Sequence, residues 1–312
     1  MSVVGRLAPS PTGLLHLGHA RTFLLAYWSA RAQGGRLLLR MEDLDGERSK
    51  PEFLAAAERD LEWLGLDWDG AAHIQSDGLE RLTAAAHGLL ERGLAYACTC
   101  TRHELRESQG APQLGVSEPR YLGTCRGRYA GLADAERRSG RRAGIRLLVP
   151  EGVTHFEDEL CGQQAFDVQA EIGDFLIARR DGVPSYQLAV VVDDAAQGVT
   201  EIVRGDDLLP STARQWLLQR ALGLPHPRWA HVALVVDEQG RRLAKRAGDL
   251  GLSELRARGV DPRRIVAWAA HSAGFSVGEW ATARELVPEF SWQRVPRQPV
   301  LLGAADLGML RP

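Results

Sequence analysis

This chain opens on an apolar run, a loop broken by proline and glycine, and then a long stretch of helical apolar spacing. No other feature limits its fold so tightly. Val3 to Ala8 reads as a buried strand, Pro9-Ser10-Pro11-Thr12-Gly13 as a loop, and Leu17 to Ala32 as a helix. Arg36 to Met41 repeats the strand signal, and Pro51 to Leu64 is helical, its proline placed where a first turn tolerates one. A βαβα opening implies an α/β fold with a doubly wound, Rossmann-type parallel sheet.

Further along, Asp77 to Arg92 reads as a helix, and the pattern then breaks into a loop-rich, arginine-rich segment that holds three of the four cysteines. Ile145 to Val149, Phe175 to Arg179, Leu188 to Val192 and Val199 to Val203 read as strands. Ser211 to Leu222 reads as a helix with Ser211 or Thr212 near its N-cap. Val232 to Val236 is expected as the last strand, with Asp237-Glu238-Gln239-Gly240 as a turn. From Leu252 the signals are mostly helical, Asp261-Pro262 starting one helix, and Trp280 to Pro312 has no clear assignment. The expected division is a first catalytic half over 1–97, an insertion over 98–144, a second catalytic half over 145–251 and a helical region over 252–312.

A chain of 312 residues can bury a sizeable core. No stretch approaches the roughly 20 apolar residues of a membrane span, and the few residues before the first strand are too short for a signal peptide. Four cysteines without a leader point to reduced thiols or a metal, and to a cytoplasmic protein. The net charge of −2 divides into −3 over 1–101, +5 over 102–146, −9 over 147–240 and +5 over 241–312. Two basic segments flanking an acidic one suit a polyanionic partner, although internal salt bridging gives the same pattern. Of the 38 basic residues only Lys50 and Lys245 are lysine, so a lysine kept here is a candidate for chemistry. Lys50, beside Pro51, reads as a solvated surface residue.

His16-Leu17-Gly18-His19 sits where the loop enters the first helix. A helix start offers free N–H groups and positive dipole to phosphate, two histidines three apart share a face, and Gly18 allows close approach of a nucleotide. A capped helix start with two surface histidines is the plainer reading of the tetrapeptide alone. Lys245, in Arg241-Arg242-Leu243-Ala244-Lys245-Arg246, is suited to the charge that develops when ATP loses pyrophosphate. Alone it reads as a basic turn. Cys98-x-Cys100 and Cys125 suggest structural zinc, with His103, Cys161 and Tyr121 competing as fourth ligand; chemistry alone favours His103.

Together the two motifs resemble the HIGH and KMSKS signatures of class I aminoacyl-tRNA synthetases. Arg6 to Gly13, Arg40-Met41-Glu42-Asp43-Leu44-Asp45, Asp193-Asp194 and Arg204-Gly205-Asp206-Asp207-Leu208-Leu209 are similar to the catalytic core of glutamyl-tRNA synthetases, over about Arg6 to Gly251. The resemblance implies His16, His19 and Lys245 as catalytic, His16, Gly18, His19, Arg242 and Lys245 as the site for ATP with its Mg2+, and Arg6, Ala8, Ser10, Glu42, Tyr186 and Arg204 as a glutamate pocket. Paired arginines suit two carboxylates and an acid suits the ammonium. Arg242 and Ala244 depart from the signature's lysine and serine, so one hydroxyl donor is lost.

The cysteine pattern resembles that of glutamyl-Q tRNA(Asp) synthetases, which implies Tyr121 as the fourth zinc ligand beside Cys98, Cys100 and Cys125. After Arg246 there remain 66 residues, too few for the large anticodon-binding region of a glutamyl-tRNA synthetase, but enough for a short stem-contacting piece. The resemblance implies a monomer that activates L-glutamate with ATP and transfers it to queuosine at the wobble position of tRNA(Asp). A compact synthetase that charges a tRNA 3′ end, and a non-catalytic RNA-binding protein on the same fold, are the competing expectations.

Overall fold

The computed structural model of the protein describes residues 2–107, 120–243 and 250–310. Its first half is β1 (Val4–Leu7), α1 (Leu17–Ala32), β2 (Arg36–Met41), α2 (Pro51–Trp63) and β3 (His73–Ile74), with β1, β2 and β3 paired in parallel in that order. α3 (Leu79–Glu91) leads to β4 (Ala95–Cys98), and α4 (Arg102–Glu107) and α5 (Leu132–Ser139) precede β5 (Gly144–Leu147). β6 (Thr154–Asp158) and β7 (Gly162–Phe166) form an antiparallel hairpin; α6 (Val168–Glu171) and β8 (Leu176–Ala178) follow. Then come α7 (Tyr186–Ala196), β9 (Glu201–Gly205), α8 (Leu209–Leu222), β10 (Arg228–Val232) and β11 (Val235–Val236). The described chain ends with α9 (Leu252–Ala257), α10 (Pro262–Ser272), β12 (Val300–Leu301) and α11 (Ala304–Met309).

β9, β10 and β6 run parallel, and β9 lies beside β1, where Thr200 N donates to Val4 O at 2.9 Å. The chain therefore reverses its winding between β1 and β9, and in doubly wound sheets ligands settle outside the carboxyl ends of the strands at such a reversal. α1 fills the space behind it. It is buried on every side, from Leu17 and Ala20 through Leu24, Leu25 and Trp28, as a helix apolar all round should be. Its one fully buried cation, Arg21, donates to Ser272 Oγ and to Ala233 O, each at 2.9 Å, tying α1 to α10 and to the end of β10.

The parallel opening matches the sequence reading, but Leu188 to Val192 is helix, not strand. Five apolar residues in a row describe a buried helix as well as a buried strand, and periodicity cannot separate the two. In α7 every residue from Gln187 to Asp194 is buried. Asp193 and Asp194, which look like a stop signal after a strand, are its inward-facing last turn, paired with Arg81 and Arg40 respectively. The expected strand over Val232 to Val236 is broken: Val232 ends β10, and after Ala233 and Leu234 only Val235 and Val236 form β11. α8 begins at Leu209 behind a 3-10 turn at Asp206–Leu208 with no side-chain cap, so neither Ser211 nor Thr212 is its N-cap. Asp261 does cap α10, accepting from Arg263 N.

β4, β5 and β8 make a separate antiparallel sheet, and the arginine-rich segment leaves and re-enters it on one rung, Cys98 opposite Gly144. Trp280 to Leu310, without a sequence assignment, contains 3-10 turns, then β12, which pairs in parallel with β11, and α11. α10 is not a detached element. Ile265, Val266 and Trp268 lie in the same apolar cluster as Leu24, Trp28 and Leu39.

Candidate active site and thiol cluster

His16 has extended backbone, φ −130° and ψ 174°, and is the N-cap of α1. Its Nδ1 accepts from Gly18 N at 3.1 Å, while His19 Nδ1 accepts from His16 N at 3.2 Å. This is a capping box built from two imidazoles instead of a hydroxyl and a carboxylate. With both Nδ1 atoms accepting, each ring carries its proton on Nε2. The rings stack with centroids 3.8 Å apart. A Cβ on Gly18 would lie 3.0 Å from His16 Cε1, so a larger residue there would push the capping ring aside by a few tenths of an ångström.

The segment carrying the second motif is held at both flanks. Arg242 bridges back to Val236 and its guanidinium pairs with Asp207 at 2.9 Å. Gly251 bridges to His16, and Leu252 N donates to Leu15 O at 2.8 Å. The loop thus starts from β11 and ends against the entry to α1. Ala244 and Lys245 lie outside the described residues.

The expected pocket residues converge at the winding reversal. Arg6 comes from β1 and Arg204 from β9; Ala8 and Ser10 are on the loop after β1, Glu42 directly follows β2, and Tyr186 starts α7. Ser10, Glu42 and Tyr186 line a cavity of about 710 Å³ that extends to Tyr121, Arg146 and Asp174. Arg6 and Arg204 are buried and do not themselves form its wall. Arg6 Nη1 donates to Val203 O at 3.1 Å and its Nε lies 3.6 Å from Asp194 Oδ1. Arg204 donates from Nε to His231 Nε2 (3.0 Å) and from Nη2 to Thr212 Oγ1 (2.8 Å). Among the described residues, Arg6 Nε and Arg204 Nη1 are buried donors with no hydrogen bond, a condition that costs about 1–3 kcal/mol each until a ligand or water relieves it.

Arg40, fully buried, organises the acidic side. It donates to Glu42 (3.0 Å), Asp194 (2.8 Å) and Gln197 (2.8 Å). Burial would lower its guanidinium, yet Asp194 and Glu42 hold it above the ordinary value. Burial raises the Glu42 carboxyl, with Arg40 and Arg6 opposing, and lowers Arg6. The sequence reading quoted Arg40 and Asp194 without a role, named Thr212 only as an N-cap candidate, and missed His231 and Asp158 altogether. No spacing signals these last residues: Asp158 reaches His231 through β6 pairing with β10.

Cys98, Cys100 and Cys125 place their Sγ atoms within 4.8 Å of one another, Cys100 to Cys125 at 3.5 Å. Tyr121 Oη stands 3.5 Å from Cys98 Sγ and 3.9 Å from Cys100 Sγ. A tetrahedron around zinc with bonds of ~2.3 Å has edges of about 3.8 Å, so the four donors fit that ion. Hydrogen bonds with its two neighbouring thiols push the Cys100 thiol far up, and contacts of the same kind pull Cys125 down. Arg146 stacks 3.8 Å over the Tyr121 ring and donates to Cys98 Sγ at 3.2 Å. Gly173 has φ +73°, and a Cβ there would lie 2.0 Å from Tyr121 O, so a glycine is needed for the tyrosine to reach in. The other two candidates are elsewhere: His103 is exposed, and Cys161 Sγ sits 3.6 Å from His231 O.

A family model described as tRNA synthetases class I (E and Q), catalytic domain, matches residues 2–299. The glutamyl-Q tRNA(Asp) synthetase of Symbiobacterium thermophilum is 44% identical over 98% of this chain and 98% of its own length. The glutamate–tRNA ligase of Azorhizobium caulinodans is 42% identical over 95% of this chain but only 62% of its own. The crystal structure of a glutamate tRNA ligase from Elizabethkingia meningosepticum in complex with its amino acid superposes with a TM-score of 0.85 at 25% identity, over 99% of this chain and 69% of that one. With a parallel sheet, a histidine-capped helix start and buried arginines at the winding reversal, the chain belongs to the class I tRNA synthetases of the E and Q type, a family of ligases, and within it to the group of the glutamyl-Q tRNA(Asp) synthetases.

Proposed function

We propose that the chain activates L-glutamate with ATP and passes it to queuosine at the wobble position of tRNA(Asp). The observation that carries the first half is the burial of Arg6 and Arg204, each with a guanidinium N–H that lacks a hydrogen bond, around Tyr186 at the cavity that Glu42 lines. A ligand with two carboxylates and an ammonium answers all three, with Ser10 and Tyr186 on the cavity wall.

ATP, entering with Mg2+, lays its phosphates at the start of α1. There the helix dipole and the Nε2–H groups of His16 and His19 favour negative charge, and Gly18 keeps the backbone accessible. A glutamate carboxylate oxygen attacks the α-phosphorus and pyrophosphate leaves, its charge met by Lys245 with Arg242 beside it. A hydroxyl of queuosine's cyclopentene ring then attacks the acyl carbon and AMP departs. The second step asks for positioning rather than a further nucleophile. Zinc, held by Cys98, Cys100, Tyr121 and Cys125, would supply no chemistry to either step and would staple a segment with little core of its own. The acceptor is supported by the names of the relatives that align with this chain almost end to end.

Glutamate-dependent ATP–pyrophosphate exchange without tRNA tests activation; its absence would sink the reading. Labelled glutamate offered with tRNA(Asp), with and without queuosine, tests the acceptor. Label on tRNA(Glu), with queuosine-containing tRNA(Asp) left bare, would show a conventional synthetase instead.

A further inference from the structure

We infer that Asp158 and His231, neither of which lines the cavity, are positioning residues for Arg204, orienting its remaining donor toward the ligand through an Asp–His–Arg relay. The inference rests on the reading that Arg204 receives a glutamate carboxylate. His231 and Arg204 are direct neighbours in the parallel register of β10 and β9, and the β6–β10 pairing sets Asp158 opposite Trp229. The side chains of Asp158 and His231 are completely closed to solvent.

Asp158 Oδ1 accepts the backbone N–H groups of Leu160 (3.1 Å) and Cys161 (2.9 Å), and the His231 N–H is shared by Oδ1 and Oδ2 at 3.2 Å each, while Oδ2 faces His231 Nδ1 at 2.6 Å. An ionised carboxylate only accepts, so the imidazole proton is fixed on Nδ1 and Nε2 is left as an acceptor. Nε2 takes the Nε–H of Arg204, and Thr212 Oγ1 takes one Nη2–H. Two of the three nitrogens are thereby held, and Nη1 is the buried donor left over. Both partners are neutral. Arg6 and Arg40 lie against carboxylates, which offset their charge, whereas Arg204 is oriented without being neutralised and keeps its charge for a ligand.

Asp158→Asn tests this with an isosteric change. The Leu160 and Cys161 N–H groups, which Oδ1 alone accepts, hold the amide oxygen there, so the amide nitrogen must face Nδ1. That forces the other tautomer and turns an Nε2–H toward Arg204, as the corresponding change does in a hydrolase triad. In ATP–pyrophosphate exchange the glutamate KM should rise by about 10-fold or more with the ATP KM within about 2-fold, the size of one charge-assisted hydrogen bond. A second pair keeps the test open if that variant does not fold. His231→Gln can set its amide oxygen near the place of Nε2 and should hold the glutamate KM within about 5-fold of the parent, whereas His231→Phe should not. An unchanged glutamate KM in Asp158→Asn, an equal rise for both substrates, or equal losses in the two His231 variants would each overturn the relay. A parent protein with no glutamate-dependent exchange would overturn the glutamate reading and the relay with it, whereas normal parent exchange beside an unaffected Asp158→Asn removes the relay alone.

Discussion

Single residues set the chemistry, and Lys245 is the plainest case because arginine replaces lysine almost everywhere else. Lys245→Ala should lower adenylate formation on the order of 100-fold, as removal of other preorganised charge stabilisers does, with the effect in kcat; a change confined to the glutamate KM would contradict the role. Glu42 gives a pH dependence. It must be ionised to meet an ammonium, and burial raises it above the ordinary carboxylate range against the pull of Arg40 and Arg6. It therefore takes up its proton at a higher pH than an exposed glutamate, and the glutamate KM should climb as pH falls from neutral, measured by exchange. Glu42→Gln should raise the KM at pH 7 and flatten that profile. Residues of this kind were legible in the sequence because their type was odd or their neighbours in the chain were telling. Asp158 and His231 were not, since 73 residues separate them and only a strand pairing joins them.

At the scale of elements the same limit applies to periodicity. α1 and the parallel opening could be read because a proline-glycine loop separates strand from helix, whereas α7 could not, because burial on every face erases the helical rhythm from Gln187 to Asp194. The start of α1 offers a test in which stability and activity part company. Gly18→Ala gains up to about 1 kcal/mol of helix propensity and loses about as much from the displaced His16 cap. The melting temperature should therefore hardly move while the ATP KM rises, and a large fall in melting temperature with unchanged ATP KM would refute the account. The thiol cluster offers another. Purified protein should carry about one zinc per chain by metal analysis, and Tyr121→Phe should weaken its retention against a chelator by about 10-fold or more, since one of four ligands is lost. Protein free of metal with an intact fold would refute it. The three cysteines could be found by spacing, but the place of Tyr121 beside them depends on its bridge to Gly173, which spacing does not reveal.

For the molecule as a whole, the first long helix and the penultimate one share one core. Trp268 is 1% exposed and lies in the cluster that contains Trp28 and Leu24. Trp268→Ala should cost about 3–5 kcal/mol in denaturant unfolding, with exchange activity lost in the same transition as the fold. Activity that outlasts the loss of tryptophan burial would show instead that this region is a separable piece. A further consequence lies in β12. Val235 and Val236, which lead into the segment that carries Arg242 and Lys245, find their strand partners in Val300 and Leu301, far downstream in the chain. A nascent chain can lay down β1, α1 and the arginine pocket well before that point, but it cannot brace the root of its catalytic loop. On the proposed function, competence to consume ATP therefore waits until Val300 and Leu301 have been made and folded back.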